Sequence, residues 1–275
     1  MTIKDLLQQA TRRLLVHSSS ARLDAELLLM KALSVTRSYL YAYSDKEVLE
    51  STLASFEKNL QRREGGEPMA YILGEQEFYS MRFEVTPAVL IPRPETECLV
   101  DWILNQSWPS DANVVDLGTG SGAIALALAK ARPGWHLTAV DNSPSALRVA
   151  QLNQEQHGLE NIRFVQSHWL KGMVPFTFHL MVANPPYIAP QDPHLSALTY
   201  EPQSALVAPK DGLADLFELL EASLPFLVPG GVLVLEHGYH QAEAVRDKAL
   251  SMGYVSAQTH LDLAGVPRFT VVVGP

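Results

Sequence analysis

Residues 114–129, VVDLGTGSGAIALALA, combine an apolar run, a glycine-rich turn and a second apolar run. The first run predicts a buried strand, and the second predicts a helix. Glycine is needed at Gly118, Gly120 and Gly122 because a side chain there would hold the backbone away from a ligand, while amides at the helix N-terminus supply hydrogen-bond donors. The stretch therefore predicts a nucleoside-binding turn at the carboxyl end of a strand.

From residue 112 onward, the sequence alternates between short apolar runs and segments with helical periodicity. Unbroken apolar strands between helices are typical of a mostly parallel sheet that is covered on both faces. The last two apolar runs, residues 254–263 and 268–274, have no helix between them, which predicts an antiparallel hairpin. The predicted fold class is α/β, a Rossmann-like sheet closed at one edge by that hairpin.

The first part of the chain is predicted to be a small helical bundle. Thr2 is placed to cap a first helix, with Asp5 three residues on, and Ser20 is placed to cap a second. A longer helix is predicted from about Asp45 to the basic residues and glycines at 62–66. The apolar faces of the second and third helices are predicted to consist of Leu23, Leu27 and Met30, and of Leu49, Leu53, Phe56 and Leu60.

Residues 77–85, EFYSMRFEV, have an alternating and aromatic pattern that predicts a short strand pair. We therefore divide the chain into an N-terminal helical domain at 1–75, a strand-pair linker at 76–92 and an α/β domain at 93–275. A helical domain of this kind either stabilises its neighbour or docks a partner, and its pattern fits both.

The composition limits the class of protein. A chain of 275 residues with 47% hydrophobic and 19% charged residues can bury a sizeable core. The single cysteine, Cys98, excludes an internal disulfide and fits a reducing compartment, which indicates a cytoplasmic protein. The N-terminus lacks the pattern of a signal peptide, and no apolar run reaches the length of a membrane span. We therefore expect no membrane association.

The charge is distributed unevenly along the chain. The net charge is −9, and after Glu84 the chain has 10 Lys and Arg against 18 Asp and Glu. Because binding to nucleic acid phosphates requires clustered basic residues, the acidic C-terminal part argues against direct nucleic acid binding. No residue cluster predicts a metal site.

Asp141 ends the next predicted strand, where its carboxylate can accept hydrogen bonds from both hydroxyls of a ribose. Gly118, Gly120 and Ala123 also satisfy the dinucleotide pattern G-x-G-x-x-G/A, and Asp141 lies at roughly the 20-residue spacing that this pattern expects. The glycines alone therefore fit a nicotinamide cofactor and S-adenosylmethionine equally well. If the cofactor is a sulfonium methyl donor, acidic surroundings such as Asp116 would favour binding of its positive charge.

An Asn-Pro-Pro-Tyr sequence follows the apolar run FHLMVA, at the same predicted edge of the sheet. The nitrogen of a planar amide or aromatic amine is a poor nucleophile, so its orientation beside a methyl donor would do most of the work. We predict that the Asn184 side-chain oxygen and the Pro185 carbonyl each accept one of its N–H groups. Pro185 and Pro186 offer no N–H donors, and Tyr187 supplies an aromatic wall.

Seven segments spread over nearly the whole chain resemble the bacterial release-factor glutamine methyltransferases of the HemK type. They are RREGGEPMAYILGEQEF (62–78), LIPRPETECLV (90–100), DLGTGSGAIALALA (116–129), VDNSPSAL (140–147), NPPYI (184–188), LVLEHG (233–238) and DLAGVPR (262–268). The resemblance implies a helical N-terminal domain joined by a small strand pair to a seven-stranded methyltransferase domain.

The resemblance also implies a cofactor and residue roles. S-adenosylmethionine is the implied cofactor, with Asp141 at the ribose and Trp169 beside the adenine. The implied cofactor contacts are Gly118, Thr119, Gly120, Ser121, Gly122, Asp141, Trp169 and Asn184. Catalysis falls on Asn184 and Pro185, and substrate recognition falls on Asn184, Pro185, Pro186 and Tyr187.

The implied substrate is the glutamine of the Gly-Gly-Gln tripeptide in peptide chain release factors. Its side-chain nitrogen, N5, would be methylated, which would modulate translation termination. The N-terminal helices would help to hold the release factor, and the enzyme would act as a monomer. Alternatives are N5-glutamine methylation of a ribosomal protein, N6-adenine methylation of nucleic acid, an NAD-dependent dehydrogenase and a binding module without turnover.

Overall fold

The computed structural model describes residues 1–275 and divides into two compact units, Met1–Glu75 and Gln76–Pro275. The first unit is helical, and the second contains a seven-stranded sheet. None of the helices combines the length and the apolarity required to cross a membrane.

Five helices form the first unit. They are α1 (Ile3–Leu14), α2 (Ala21–Leu33), α3 (Arg37–Ala42), α4 (Glu50–Glu64) and α5 (Met69–Leu73). The predicted cap of α1 is confirmed, because the Thr2 hydroxyl accepts from the Asp5 amide and the Asp5 carboxylate accepts from the Thr2 amide. Ser20 occupies the cap position of α2, but its hydroxyl donates to the Asp24 carboxylate and caps no backbone amide.

The predicted apolar faces of α2 and α4 are partly wrong. Leu23 on α2 is 45% exposed, and Leu49 precedes α4 and is 74% exposed. α2 instead buries Asp24 and Glu26, because cations neutralise both carboxylates: Arg63 pairs with Asp24, and Arg22 and Arg37 pair with Glu26. Apolar periodicity could not reveal a helix face that is buried through ion pairs.

A two-stranded sheet of β1 (Glu75–Phe78) and β2 (Met81–Glu84) begins at the boundary between the two units, which confirms the predicted strand pair. Asn153 ties the end of this pair to the sheet domain, since its side-chain amide bonds both the N–H and the carbonyl of Glu84. The same amide donates to the Ser121 carbonyl at 2.9 Å.

Seven strands form the main sheet in the order β5-β4-β3-β6-β7-β9-β8. They are β3 (Asn113–Leu117), β4 (His136–Asp141), β5 (Ile162–Gln166), β6 (Phe178–Ala183), β7 (Leu227–Glu236), β8 (Ser256–Leu261) and β9 (Pro267–Val273). The first five are parallel, and β9 pairs antiparallel with both β7 and β8. The predicted α/β fold, with its antiparallel edge hairpin, is confirmed.

Five helices accompany the sheet. They are α6 (Glu97–Leu104), α7 (Ala123–Ala131), α8 (Pro144–His157), α9 (Ala214–Ser223) and α10 (Ala242–Ser251). Two apolar clusters lie on the two sides of the sheet, one around α6 and α7 and the other around α9 and α10. Within the sheet, β3 lies between β4 and β6, and the strand order reverses there: β4 and β5 follow in one direction, and β6 begins the other. A crevice is therefore expected where β3, β4 and β6 end.

Candidate active site

A cavity of about 490 Å³ is lined by the segments that follow β3, β4, β5 and β6. This volume lies within the range of roughly 300–1,000 Å³ that is usual for small-molecule sites. The predicted site residues that line it are Gly118, Thr119, Gly120, Ser121, Asp141, Trp169, Asn184 and Pro186. Gly122, Pro185 and Tyr187 do not line it. The structure therefore brings the glycine turn and the Asn-Pro-Pro-Tyr segment to one cavity.

Two glycines of the turn have different physical roles. Gly118 has a φ of +79°, and a β-carbon there would lie 3.3 Å from the Trp169 ring, inside the cavity wall. Gly122 has a φ of +84°, and its β-carbon would lie 3.0 Å from Leu126 and 3.3 Å from Ala150. Gly118 therefore keeps the cavity open, whereas Gly122 lets α7 begin close to α8.

The Asp141 carboxylate is held in place by two backbone amides. One oxygen accepts from the Gly120 N–H and the other from the Ser143 N–H, both at 2.9 Å. Burial raises the pKa of Asp141, and these amide hydrogen bonds lower it. Each carboxylate oxygen retains a second lone pair, so the group can still accept hydroxyl donors from a ligand.

Trp169 follows β5 and has a left-handed backbone, with a φ of +48°. Its indole Nε1 is buried and has no hydrogen-bond partner in the protein. The His168 ring lies beside it, with 5.6 Å between ring centroids, and Asp215 lines the same cavity. An aromatic surface with an unsatisfied donor suits the flat base of a purine nucleoside.

Asp116 does not face the cavity, contrary to the expectation that it would meet a positive charge there. Its side chain is 1% exposed and accepts a hydrogen bond from the Thr119 hydroxyl at 2.7 Å. Burial raises the pKa of Asp116 to about 7. The carboxylate therefore supports the glycine turn through Thr119, which itself lines the cavity.

Asn184 immediately follows β6 and faces the cavity. Its side-chain Nδ2 lies 3.5 Å from the Thr96 hydroxyl oxygen, so the amide donates toward Thr96. Pro185 is buried and Pro186 lines the cavity. A side-chain oxygen and a main-chain carbonyl at this point provide acceptors without competing N–H donors.

The Tyr187 side chain does not line the cavity and is hydrogen-bonded to another part of the protein. Its hydroxyl donates to the Glu236 carboxylate at 3.1 Å, and its carbonyl accepts from the Gln241 side chain at 3.0 Å. Burial raises the pKa of Tyr187. This fixed position explains why the predicted aromatic wall is absent from the cavity lining.

Arg93, Thr96 and Asp215 line the cavity but were not predicted as site residues. Arg93 pairs with the buried Glu201, which also accepts from the Ile91 amide at 3.0 Å. This pair joins the segment before α6 to the segment that carries Pro202, another lining residue. Arg93 and Thr96 both lie in LIPRPETECLV, one of the seven segments that resemble the family, and that resemblance was the available sequence signal for them.

Two family profiles match the chain. One is described as the PrmC N-terminal domain and matches residues 5–74. The other is described as the methyltransferase small domain and matches residues 94–200, which include the glycine turn, Asp141 and Asn184.

Two curated proteins are related to the chain over nearly its full length, and one solved structure shares its fold. The chain is 43% identical to a release factor glutamine methyltransferase of Coxiella burnetii, with 98% of each chain covered. It is 45% identical to a release factor glutamine methyltransferase of Vibrio cholerae, with 98% of this chain and 96% of that protein covered. In fold it is similar to a methyltransferase from Pyrococcus furiosus, with a TM-score of 0.55 and 20% identity, over 72% of this chain and 91% of that one.

Proposed function

The chain belongs to the release factor glutamine methyltransferase family, and from this premise we propose how its cavity acts. The enzyme transfers a methyl group from S-adenosylmethionine to the side-chain nitrogen, N5, of the glutamine in the Gly-Gly-Gln motif of a peptide chain release factor. The observation that carries the residue assignments is that Asp141 and Asn184 face a single cavity of about 490 Å³. This arrangement suits a cofactor at one end and an acceptor amide at the other.

The cofactor end is built from the glycine turn, Asp141 and Trp169. S-adenosylmethionine, when bound, supplies a methyl group already activated on a sulfonium. Asp141 accepts the ribose hydroxyls, and the two backbone amides that bond its carboxylate hold it in place and counteract the rise in pKa that burial causes. Trp169 lies against the adenine. The unsatisfied Trp169 Nε1 and the close approach of Trp169 to Gly118 support this assignment.

The acceptor end is built from Asn184 and Pro185. The Asn184 oxygen and the Pro185 carbonyl each accept one N–H of the glutamine side chain, which turns the face of the nitrogen toward the methyl donor. Because a bound sulfonium would supply an already activated methyl group, orientation suffices and no strong general base is required. The nitrogen would lose one N–H proton after the transfer, and the donor would leave as a neutral thioether. Pro186 lines the path of the substrate, and Tyr187 holds the segment in place through Glu236.

The helical unit, Met1–Glu75, is the proposed docking domain for the release factor, and the strand pair at 76–92 joins it to the methyltransferase domain. The match of residues 5–74 to the PrmC N-terminal domain supports the bounds of this helical unit. The net charge of −9 supports a protein substrate without direct nucleic acid contact. The proposed enzyme acts as a monomer, since a single chain already supplies both the cofactor end and the acceptor end of the cavity. A cytoplasmic location follows from its substrate, since release factors act where translation occurs.

The test is methyl transfer to defined substrates. Purified protein is incubated with labelled S-adenosylmethionine and, in parallel, a release factor, a ribosomal protein and an adenine-containing oligonucleotide. We expect label on the release factor alone, mapped by mass spectrometry to the glutamine of Gly-Gly-Gln. A thermal-shift comparison of S-adenosylmethionine with NAD is the matched ligand control, because only a bound ligand raises the melting temperature. Labelling of the ribosomal protein or the oligonucleotide in place of the release factor would contradict the proposal.

A further inference from the structure

Thr96 links the acceptor end of the cavity to a buried carboxylate. It lies at the start of α6, is 3% exposed, and its hydroxyl oxygen lies 3.5 Å from the Asn184 Nδ2. Its hydroxyl also hydrogen-bonds Glu236, the last residue of β7, which is 1% exposed and whose pKa this bond lowers. The three side chains come from segments that are far apart in the sequence but meet at the same edge of the sheet.

Glu236 has an unusual environment for a carboxylate. It accepts a hydrogen bond from Tyr187 at 3.1 Å, and its second oxygen, Oε2, has no partner. Burial raises the pKa of Glu236, while hydrogen bonding from Thr96 and the charge of Arg268 lower it. The guanidinium of Arg268 forms its ion pair with Asp262, at 2.9 Å. Glu236 is thus buried without a salt bridge, an arrangement that costs stability and calls for another reason.

The hydroxyl of Thr96 has one proton to donate, and because its hydrogen bond lowers the pKa of Glu236, that proton is donated to the carboxyl group. The Thr96 oxygen then has only lone pairs to offer to Asn184. The Asn184 carboxamide must then place its NH₂ group toward Thr96, and its oxygen is left for the cavity. A flipped carboxamide would bring an N–H donor against the N–H groups of the substrate.

We propose that Thr96 and Glu236 are positioning residues that fix the orientation of the Asn184 carboxamide, so that its oxygen faces the substrate amide. This inference rests on the proposed role of Asn184. Glu236 also receives the Tyr187 hydroxyl, so one carboxylate orders both ends of the Asn-Pro-Pro-Tyr segment. The segment LVLEHG contains Glu236 but contributes no residue to the cavity lining, and this positioning role gives it a part in substrate binding.

The test compares Thr96→Val with Thr96→Ser. Valine keeps the size of the side chain but removes the hydroxyl, and serine restores it. We expect Thr96→Val to lower kcat for release-factor methylation roughly tenfold to hundredfold, because one substrate hydrogen bond is lost and a donor faces a donor. The affinity of this variant for S-adenosylmethionine should stay within about threefold of the wild-type value. In binding free energy, that is less than half of the effect of a tenfold change. Thr96→Ser should retain most of the wild-type kcat.

Glu236→Gln tests the other end of the link. A glutamine side chain can donate as well as accept, so the Thr96 proton is no longer directed. We expect a loss of kcat similar to that of Thr96→Val, and the double variant should be no worse than either single variant, because both act through Asn184. The matched control is Thr138→Val, a buried hydroxyl on β4 that contacts Arg163 outside the cavity. It should leave kcat unchanged.

A second readout does not depend on activity. The side-chain NH₂ signals of Asn184, followed by ¹⁵N NMR in the wild type, should shift in Thr96→Val and return in Thr96→Ser. Unchanged Asn184 signals in Thr96→Val, a wild-type kcat in that variant, or equal losses of kcat and cofactor affinity would each overturn the inference. Failure of the wild-type protein to methylate a release factor would instead overturn the proposed function, and the NMR comparison would still decide whether Thr96 orients Asn184.

Discussion

The Trp169 ring lies so close to Gly118 that a β-carbon on Gly118 would be 3.3 Å from it. Because Gly118 also has a φ of +79°, Gly118→Ala would suffer both backbone strain and a contact with the proposed adenine platform. We expect the affinity for S-adenosylmethionine to fall roughly tenfold or more, an effect of about 1.4 kcal/mol, measured by isothermal titration calorimetry.

The control for Gly118→Ala is Gly158→Ala. Gly158 ends α8 with a φ of +63°, and a β-carbon there would meet nothing within 4 Å. It should therefore show a comparable loss of thermal stability from backbone strain, with unchanged cofactor affinity. Equal affinity losses in the two variants would mean that Trp169 does not restrict the cavity as described.

A second prediction concerns the Asp141 carboxylate. In Asp141→Asn, one of the two oxygens becomes an NH₂ group that must face the Gly120 or the Ser143 amide, and a donor then opposes a donor. We expect the affinity for S-adenosylmethionine to fall roughly tenfold to hundredfold, together with a loss of stability.

Asp192→Asn is the matched control for Asp141→Asn. The Asp192 carboxylate also accepts a backbone N–H, from His194 at 2.9 Å, but Asp192 does not line the cavity. Its cofactor affinity should be that of the wild type. An Asp141→Asn protein that binds S-adenosylmethionine normally would show that this carboxylate does not hold the ribose.

A third prediction concerns pH. Burial raises the pKa of Asp116 from 3.8 to about 7, so the folded protein binds this proton more tightly than the unfolded chain does. This group therefore makes the free energy of unfolding fall as pH rises from 3.8 to about 7, and it has no further effect at higher pH.

Asp116→Asn removes that titration. We expect the stability of the wild type relative to Asp116→Asn to be greater near pH 5 than near pH 8, as measured by urea unfolding of both proteins across that range. A stability difference that stays constant with pH would show that Asp116 has an ordinary pKa. The comparison between two proteins is needed because other carboxyl groups, such as Asp262, have lowered pKa values and act in the opposite direction.

Local patterns predicted much of the fold. The Thr2–Asp5 cap, the strand pair and the edge hairpin depend on neighbours in sequence, and all three are present. Leu49 was misassigned because the apolar spacing of α4 extends to residues that precede the helix. Only tertiary packing decides which leucines are buried. The meeting of the glycine turn with Asn184 followed from strand order, since the carboxyl ends of parallel strands share one edge.

Contacts between distant segments could not be predicted in this way. Thr96 and Asn184 are separated by 88 residues, and no periodicity relates them. Tyr187 illustrates the same limit, because its position after two prolines suggested an aromatic wall, whereas its hydroxyl is drawn to Glu236 on the neighbouring strand. Asp116 was assigned to the cavity from its place beside the glycine turn. The alternation of side chains along β3 and the hydrogen bond from Thr119 instead keep its carboxylate buried in the protein, away from the cavity.

The account depends most on Asn184 as the acceptor for the substrate amide. The direct measurement is methyl transfer to a release factor by Asn184→Ala, with the affinity for S-adenosylmethionine measured on the same preparation and Asn105→Ala, at the exposed end of α6, as the control. We predict that transfer is nearly abolished in Asn184→Ala while its cofactor affinity changes by no more than about threefold, less than half of a tenfold step in free energy. Normal transfer by this variant, or a loss of cofactor binding as large as the loss of transfer, would contradict the account.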